Sequence, residues 1–169
     1  MTKQEEQLRR IYKDYTAPLR TYIDLNFPNI NQDREDTLHD ILEKIVKHFD
    51  LYDSRFALST WIYRIARNHC LDLVRKQKRL VSSDSEALDH LISPVGNPYE
   101  QMEDDMKRQR IKILLSQLPL EEREILFLRF FEDMSYRDVA LAMNKPLGTV
   151  KYLIHKAKEW MKENWEAAS

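Results

Sequence analysis

The sequence predicts an all-α protein: two small helical domains joined by an acidic linker, the C-terminal one a helix-turn-helix. Three observations carry that expectation. Only 2 glycines and 6 prolines punctuate 169 residues, too few for the many tight turns of a β-sandwich or barrel. Apolar residues recur at three- and four-residue spacing over long stretches, the period of an amphipathic helix. Charge is divided by position: residues 1–79 hold 15 Lys+Arg against 12 Asp+Glu, residues 80–105 none against 7, and residues 106–169 12 against 9. The acidic middle also carries Ser82, Ser83, Ser85, Ser93, Pro94, Gly96 and Pro98, the chemistry of a connector. The expected organisation is a domain over 1–79, a flexible acidic linker over 80–105 and a second domain over 106–169.

Composition removes several classes of function. Mean hydropathy is −0.63, and no apolar run approaches the roughly 18 residues that a membrane span requires, so membrane insertion is not expected. The polar start Met1-Thr2-Lys3-Gln4-Glu5-Glu6 has the character of neither a signal peptide nor a lipidation site, and a cytoplasmic location is expected. The lone cysteine, Cys70, allows no disulfide framework and no cysteine-cluster zinc site. It lies on an apolar stripe and is expected as a packed core residue. The 5 histidines show no ligand spacing. With no Ser-His-Asp or Cys-His signature and no glycine-rich phosphate loop, neither an enzyme nor a cofactor or metal is expected.

In the first block Leu8, Ile11, Tyr12 and Tyr15 recur at helical spacing, and Leu19, Tyr22 and Ile23 continue the stripe beyond Pro18. Pro28 and the asparagine-rich stretch 26–31 end that helix. A second helix begins near Asp33, with Asp33, Glu35 and Asp36 suited to the positive end of its dipole. Leu38, Ile41, Leu42, Ile45, Val46 and Phe49 form its core-facing stripe. Asp36, His39, Asp40 and Glu43 fall at i, i+3, i+4 and i+7 on the opposite side. That side reads as a solvated face, as half of a carboxylate–histidine metal site whose second helix is missing, or as a docking surface. Spacing does not separate the first reading from the third.

Residues 50–59 read as a loop with Tyr52 and Phe56 at its edges, and Ser59 or Thr60 as the cap of the next helix. On that helix Trp61, Ile62, Ile65, Ala66, Cys70, Leu73 and Val74 make one apolar stripe. Arg64, Arg67, Asn68, Leu71, Arg75, Lys78 and Arg79 trace the other side. Cations beside aromatic rings suit single-stranded nucleic acid, the cations following phosphates and the rings stacking on bases. The same residues also describe a solvated basic face with Tyr52 and Phe56 plugged into the core.

In the third block residues 106–117 form a helix with Ile111, Leu114 and Leu115 on its apolar side. Pro119 suits the first turn of the next helix, which runs to about Glu132 through Ile125, Leu126, Leu128, Phe130 and Phe131. Ser135 and Asp138 have capping-box spacing. A short helix presenting Val139, Ala142 and Met143 follows, then the turn Asn144-Lys145-Pro146-Leu147-Gly148. Thr149 and Val150 lead a final helix to about Trp165 that buries Val150, Ile154, Ala157 and Met161. Its other side offers Lys151, Tyr152, His155, Lys156, Lys158 and Lys162. Short helix, tight turn and longer helix is the order of a helix-turn-helix, a geometry that also occurs without DNA. The lysines and His155 on the open side favour DNA.

Both halves resemble one family. Trp61-Ile62-Tyr63-Arg64-Ile65-Ala66-Arg67-Asn68, then Leu71-Asp72 and a basic tail, is similar to region 2 of bacterial sigma factors, in particular the extracytoplasmic-function (ECF) subgroup. Asp33, Asp36 and Asp40 on the preceding helix resemble the polymerase-docking segment of that region. Leu118-Pro119-x-x-x-Arg123-Glu124, Ser135-Tyr136-x-x-Val139-Ala140 and Gly148-Thr149-Val150-Lys151 resemble region 4. The likeness spans nearly the whole chain, in the right order.

The resemblance implies a promoter-specificity subunit of RNA polymerase whose partners are core polymerase and promoter DNA, duplex at −35 and melted at −10. Asp36, His39, Asp40 and Glu43 would dock on the polymerase clamp. Loop 51–60, with Tyr52 and Phe56, would hold a base flipped from the melted strand, and Arg64, Arg67, Asn68 and Arg75 would read or grip the −10 element. The acidic linker would thread the polymerase channel. Thr149, Lys151, Tyr152, His155 and Lys156 would enter the −35 element. The family also implies an anti-sigma protein as partner, although no residue here identifies one. Five positions depart from the pattern: His39 stands for the usual glutamine, Asp40 for glutamate, Tyr152-Leu153 for Ser-Arg, and Asn144 for a frequent glycine. A net charge of −1 gives little long-range attraction to DNA, so weak promoter binding alone and strong binding with polymerase are expected. The competing reading is a stand-alone dimeric helix-turn-helix regulator.

Overall fold

The computed structural model describes residues 1–80 and 104–166, and within them the chain is helical throughout, with no strand. The expected linker, 80–105, lies almost wholly outside the described residues. Helix α1 (Lys3–Asn26) opens on a capping box: the Thr2 hydroxyl accepts from the Glu5 amide and the Glu5 carboxylate accepts from the Thr2 amide. Pro18 lies inside α1, where it cannot donate a helical hydrogen bond, and the helix continues through it. Helix α2 (Arg34–Lys47) starts where the carboxylate of Asp33 accepts from the amides of Glu35 and Asp36. A single 3₁₀ turn, Phe49–Leu51, and a short loop lead to α3 (Leu58–Leu80). Ser59 and Thr60 therefore fall inside the first turn of α3 and do not cap it.

Helix α4 (Asp104–Gln117) precedes α5 (Leu120–Leu126), whose N-cap is Pro119, one position earlier than the sequence suggests. The chain then widens into a π-helical segment, Phe127–Phe131, where the Glu132 amide donates to the Phe127 carbonyl. Helix α6 (Tyr136–Met143) is capped by Ser135, whose hydroxyl accepts from the Asp138 amide. Its end is a Schellman turn: Asn144 sits in the left-handed region at φ 53°, Lys145 N–H donates to the Ala140 carbonyl and Asn144 N–H to that of Leu141. Helix α7 (Leu147–Asn164) starts at once, so the turn is three residues and Gly148 belongs to the helix. A methyl group on Gly148 would meet nothing within 4 Å, so its smallness is not a packing requirement.

In the first half, α1 packs on α2 and α2 on α3. In the second, α5 and α6 both pack on α7. The halves meet where α3 lies against α6 and α1 lies against α4 and α5. Their joint core is aromatic. Tyr22 from α1, Tyr63 from α3 and Phe127 from the second half are each at most 1% exposed. Their ring centroids are 5.4 Å (Tyr22–Tyr63), 5.6 Å (Tyr22–Phe127) and 6.0 Å (Tyr63–Phe127) apart. Such edge and tilted arrangements add to the apolar area already buried. Cys70 is fully buried, and burial pushes its thiol up to about 12, which makes it an inert core residue. Four residues read as part of an apolar stripe are open to solvent: Tyr12 on α1 (53% exposed), Val46 on α2 (52%), Phe130 (52%) and Phe131 (53%). Conversely, His69 is buried on α3, although it lies on neither stripe assigned to that helix by periodicity.

Candidate nucleic-acid interface

The loop between α2 and α3 is a small preformed structure. Tyr52 stacks on Phe49 (6.1 Å between centroids, 27° between planes) and lies against Trp61 at 5.4 Å. Its hydroxyl donates to the Phe56 carbonyl at 2.6 Å. Partial burial, then the neighbouring Asp53 charge, raises the Tyr52 phenol above its ordinary value, so it stays a neutral donor. Asp53 accepts from both the amide and the guanidinium of Arg55, closing the loop behind Tyr52. Phe56 projects outward, 47% exposed. One ring is thus held in an aromatic trio and the other is free to stack.

On α3, Arg64, Asn68 and Arg75 are exposed along one side, and Arg75 is 3.4 Å from Asp72. Arg67 is taken out of that row. Its side chain is only 13% exposed and its Nε donates at 2.8 Å to the carboxylate of Glu124, a side chain from α5 with no exposure. The Tyr22 hydroxyl donates to the same Glu124 oxygen at 3.1 Å. Beside it, the Arg123 guanidinium donates to the Asn26 carbonyl at 2.9 Å. Neither Glu124 nor Tyr22 suggests itself as a polar pair in the sequence. The one local signal is an acid set directly before the apolar run that begins at Ile125.

Burial raises the carboxyl of Glu124, and the raising outweighs the opposing pull of Arg67 and the two hydrogen bonds. A carboxyl whose folded pKa is raised binds its proton more tightly in the native state. Its contribution is therefore complete below the unfolded value near 4.5 and is lost as pH rises through the raised one. Glu124→Gln keeps the acceptor and removes the titration. Its urea midpoint is expected to gain on that of the parent protein as pH is raised from 5 to 7.5. A difference that stays flat over that range would refute the burial argument. His69, which burial lowers, is common to both proteins and cancels in the comparison.

On α2, Asp36, His39 and Glu43 are exposed in a line. Asp40 is more enclosed: its carboxylate accepts from Gln32 at 3.0 Å and lies 3.9 Å from the His69 ring. No cluster of three His, Cys, Asp or Glu residues capable of holding a metal occurs among the described residues, so the carboxylate–histidine half-site has no second half there. On α7, Thr149, Lys151, Tyr152, His155 and Lys156 are all exposed, Tyr152 by 63%. Val150, Ile154 and Ala157 are buried on the opposite side, as the periodicity predicts. Lys156 is 3.3 Å from Glu122, and Lys145 in the turn is 2.8 Å from Glu121, so α5 is ion-paired to both the turn and the exposed side of α7.

A supported helix-turn-helix, preceded on the same chain by a basic helix and an aromatic loop, is the arrangement of a helical nucleic-acid-binding protein. The family descriptions agree: Sigma-70 region 2 matches residues 8–80 and Sigma-70, region 4 matches residues 108–161. RNA polymerase sigma-H factor of Pseudomonas aeruginosa is 31% identical over 143 residues, covering 80% of this chain and 74% of that one. ECF RNA polymerase sigma-E factor of Escherichia coli K12 is 30% identical over 135 residues, covering 75% and 71%. Among solved structures, the sigma factor RpoE in complex with the anti-sigma factor NepR from Bartonella quintana aligns with a TM-score of 0.78. It is 25% identical and covers 94% of this chain and 96% of that one. The chain belongs to the ECF sigma factors of RNA polymerase.

Proposed function

We propose that this chain joins core RNA polymerase, directs it to paired −35 and −10 promoter elements and assists in opening the DNA. The observation that carries this is the exposed row Thr149, Lys151, Tyr152 and His155 at the start of α7, on a helix whose other side is locked into the core. The first residues of such a helix reach base edges while lysines neutralise phosphates. Residues 1–79 would carry polymerase docking and the −10 element, and residues 106–169 the −35 element. Within the first half, Tyr52 and Phe56 would stack on a base, and Arg64, Asn68 and Arg75 would track the strand. Arg67 would join them once free of Glu124. Asp36, His39, Asp40 and Glu43 would meet the polymerase. The chemistry of RNA synthesis would belong to the polymerase, with no reacting group, cofactor or metal supplied by this chain, and the work would be cytoplasmic. No helix among the described residues is long and apolar enough to cross a membrane, which fits that setting. An anti-sigma protein is a further partner in this reading, as NepR is for RpoE. The stand-alone dimeric regulator is not favoured, because a region 2 half accompanies the helix-turn-helix.

The test is transcription of genomic fragments by core polymerase with and without the chain, with start sites mapped. The expected result is a shared pair of upstream elements at the starts that depend on the chain. Lys151→Ala should relax base preference at one −35 position by roughly 5- to 100-fold, the worth of one good base contact. Lys156→Ala should lower output evenly across promoters and weaken its salt dependence, the mark of a phosphate contact. Start sites indistinguishable with and without the chain would refute the reading.

A further inference from the structure

The acids on the open side of α2 are not held alike. Asp36 and Glu43 are exposed, and among the described residues Asp40 is the one acid of the row whose carboxylate is hydrogen-bonded. Its Oδ2 accepts from the Gln32 carboxamide at 3.0 Å, and the side chain is still 43% exposed. One oxygen is thus fastened while the carboxylate stays open to a partner. Gln32 is fixed at its other end as well: its Oε1 accepts at 3.1 Å from the hydroxyl of Thr37, a residue with no exposure. Gln32 belongs to the loop between α1 and α2, and that loop is fastened to α3. Gln77 donates from Nε2 to the Asn29 carbonyl at 2.9 Å and accepts at Oε1 from the Asn31 amide at 3.0 Å. An open groove lined by Ile30, Leu73, Lys76 and Leu80 runs beside the loop, so apolar packing there is incomplete and the two Gln77 bonds do the holding. Both carboxamides use a donor and an acceptor at once, which sets their orientation.

We propose that Gln32 is a positioning residue for polymerase docking, holding the Asp40 carboxylate on the docking face, and that Gln77 positions Gln32 from α3. The inference rests on the reading of α2 as the docking face. Asp40 is a methylene shorter than the glutamate usual at its position, so its reach leaves less room for a misplaced carboxylate. A side chain already held in place gives up less freedom when a partner arrives, and more of the contact energy appears as affinity. His69 does not do this work: its Nε2 is 3.9 Å from Asp40 Oδ2, beyond hydrogen-bond distance. The docking acid is therefore set by a relay that runs from α3 through the loop to α2.

The affinity of the full chain for core RNA polymerase tests the relay. Asp40→Ala sets the worth of the acid and should weaken binding. Gln32→Ala and Gln77→Ala should each weaken it by about 3- to 10-fold, the cost of ordering a freed side chain on binding. Gln32→Ala combined with Asp40→Ala should bind no worse than Asp40→Ala alone, because Gln32 acts through the acid. Gln32→Glu separates position from charge and from folding. It keeps the acceptor for Thr37, loses the donor to Asp40 and adds a negative charge to an acidic face. Charge alone would tighten binding to a cationic partner. Loss of position, with two carboxylates now repelling, should weaken it at least as much as Gln32→Ala does. Circular dichroism checks that each variant folds, and if Gln77→Ala loses its helical signal, the two Gln32 variants carry the test. Parent-like binding by Gln32→Ala, tighter binding by Gln32→Glu, or a Gln32→Ala loss that persists in the Asp40→Ala background would overturn the relay. If Asp40→Ala binds weakly alongside any of those results, the docking reading of α2 stands without it. Parent-like binding by Asp40→Ala removes that acid from the docking face, and the relay falls with it.

Discussion

Phe127→Ala is expected to destabilise the protein by about 3–5 kcal/mol, the cost of emptying a large aromatic from a packed core. The thermal midpoint should fall by about 10 °C or more for a chain of this size. Phe127 is 1% exposed and touches Tyr22 and Tyr63, both from the first half, and Phe131 from its own segment. The cavity would open at the join between halves, and neither neighbouring tyrosine could swing in while α1 and α3 hold it in place. Urea unfolding followed by circular dichroism measures the effect. Phe131→Ala provides the contrast: its ring stacks on Phe127 at 5.4 Å but is 53% exposed, and its loss should cost much less. Equal losses at the two positions would contradict the burial argument.

That contrast also marks how far the sequence could be read. Phe130 and Phe131 follow Ile125, Leu126 and Leu128 in one apolar run, and periodicity alone assigns all five to the core. The π-helical widening from Phe127 breaks the 3.6-residue register, so side chains beyond it leave the face that the earlier residues set. A register break of that kind has no local signature. By contrast, α6 and α7 were legible almost residue by residue. Ser135 caps, Asn144 supplies the left-handed turn, and Val139, Ala142, Met143, Val150, Ile154 and Ala157 are buried as their spacing requires. Those features are local, and local chemistry is what a sequence displays.

The site divides along the same line. The exposed rows on α2 and α7 follow from helical spacing, and the loop carrying Tyr52 and Phe56 from the gap between two helical stripes. The exception is Arg67, which helical spacing puts among the exposed cations of α3. Its partner Glu124 is 57 residues away, and Tyr22 is 102 residues from Glu124, both across the linker. Nothing in the spacing of either half specifies how the two sit together. The placement of Arg67 is a property of the assembled chain.

Asp36→Lys combined with Glu43→Lys is expected to abolish co-elution with core RNA polymerase, weakening the complex by about 100-fold or more. Like charges brought together at an interface cost several kcal/mol. The two positions suit the test because both side chains are exposed, and the α2 cap uses the Asp36 backbone amide, not its carboxylate. The fold should therefore survive, apart from the small loss of placing a cation near a helix N-terminus. Asp40 is the poorer target, although it lies on the same face. Its carboxylate is engaged by Gln32 and lies beside buried His69, so reversing it would disturb packing as well as docking. Glu6→Lys combined with Asp14→Lys, two exposed acids on α1, makes the same change of net charge and should leave co-elution intact. A double reversal that still co-elutes at the parent's affinity would remove α2 as the docking face. If that control were equally disabled, the attraction would be of whole-chain charge, and the line Asp36, His39 and Glu43 would revert to a solvated surface.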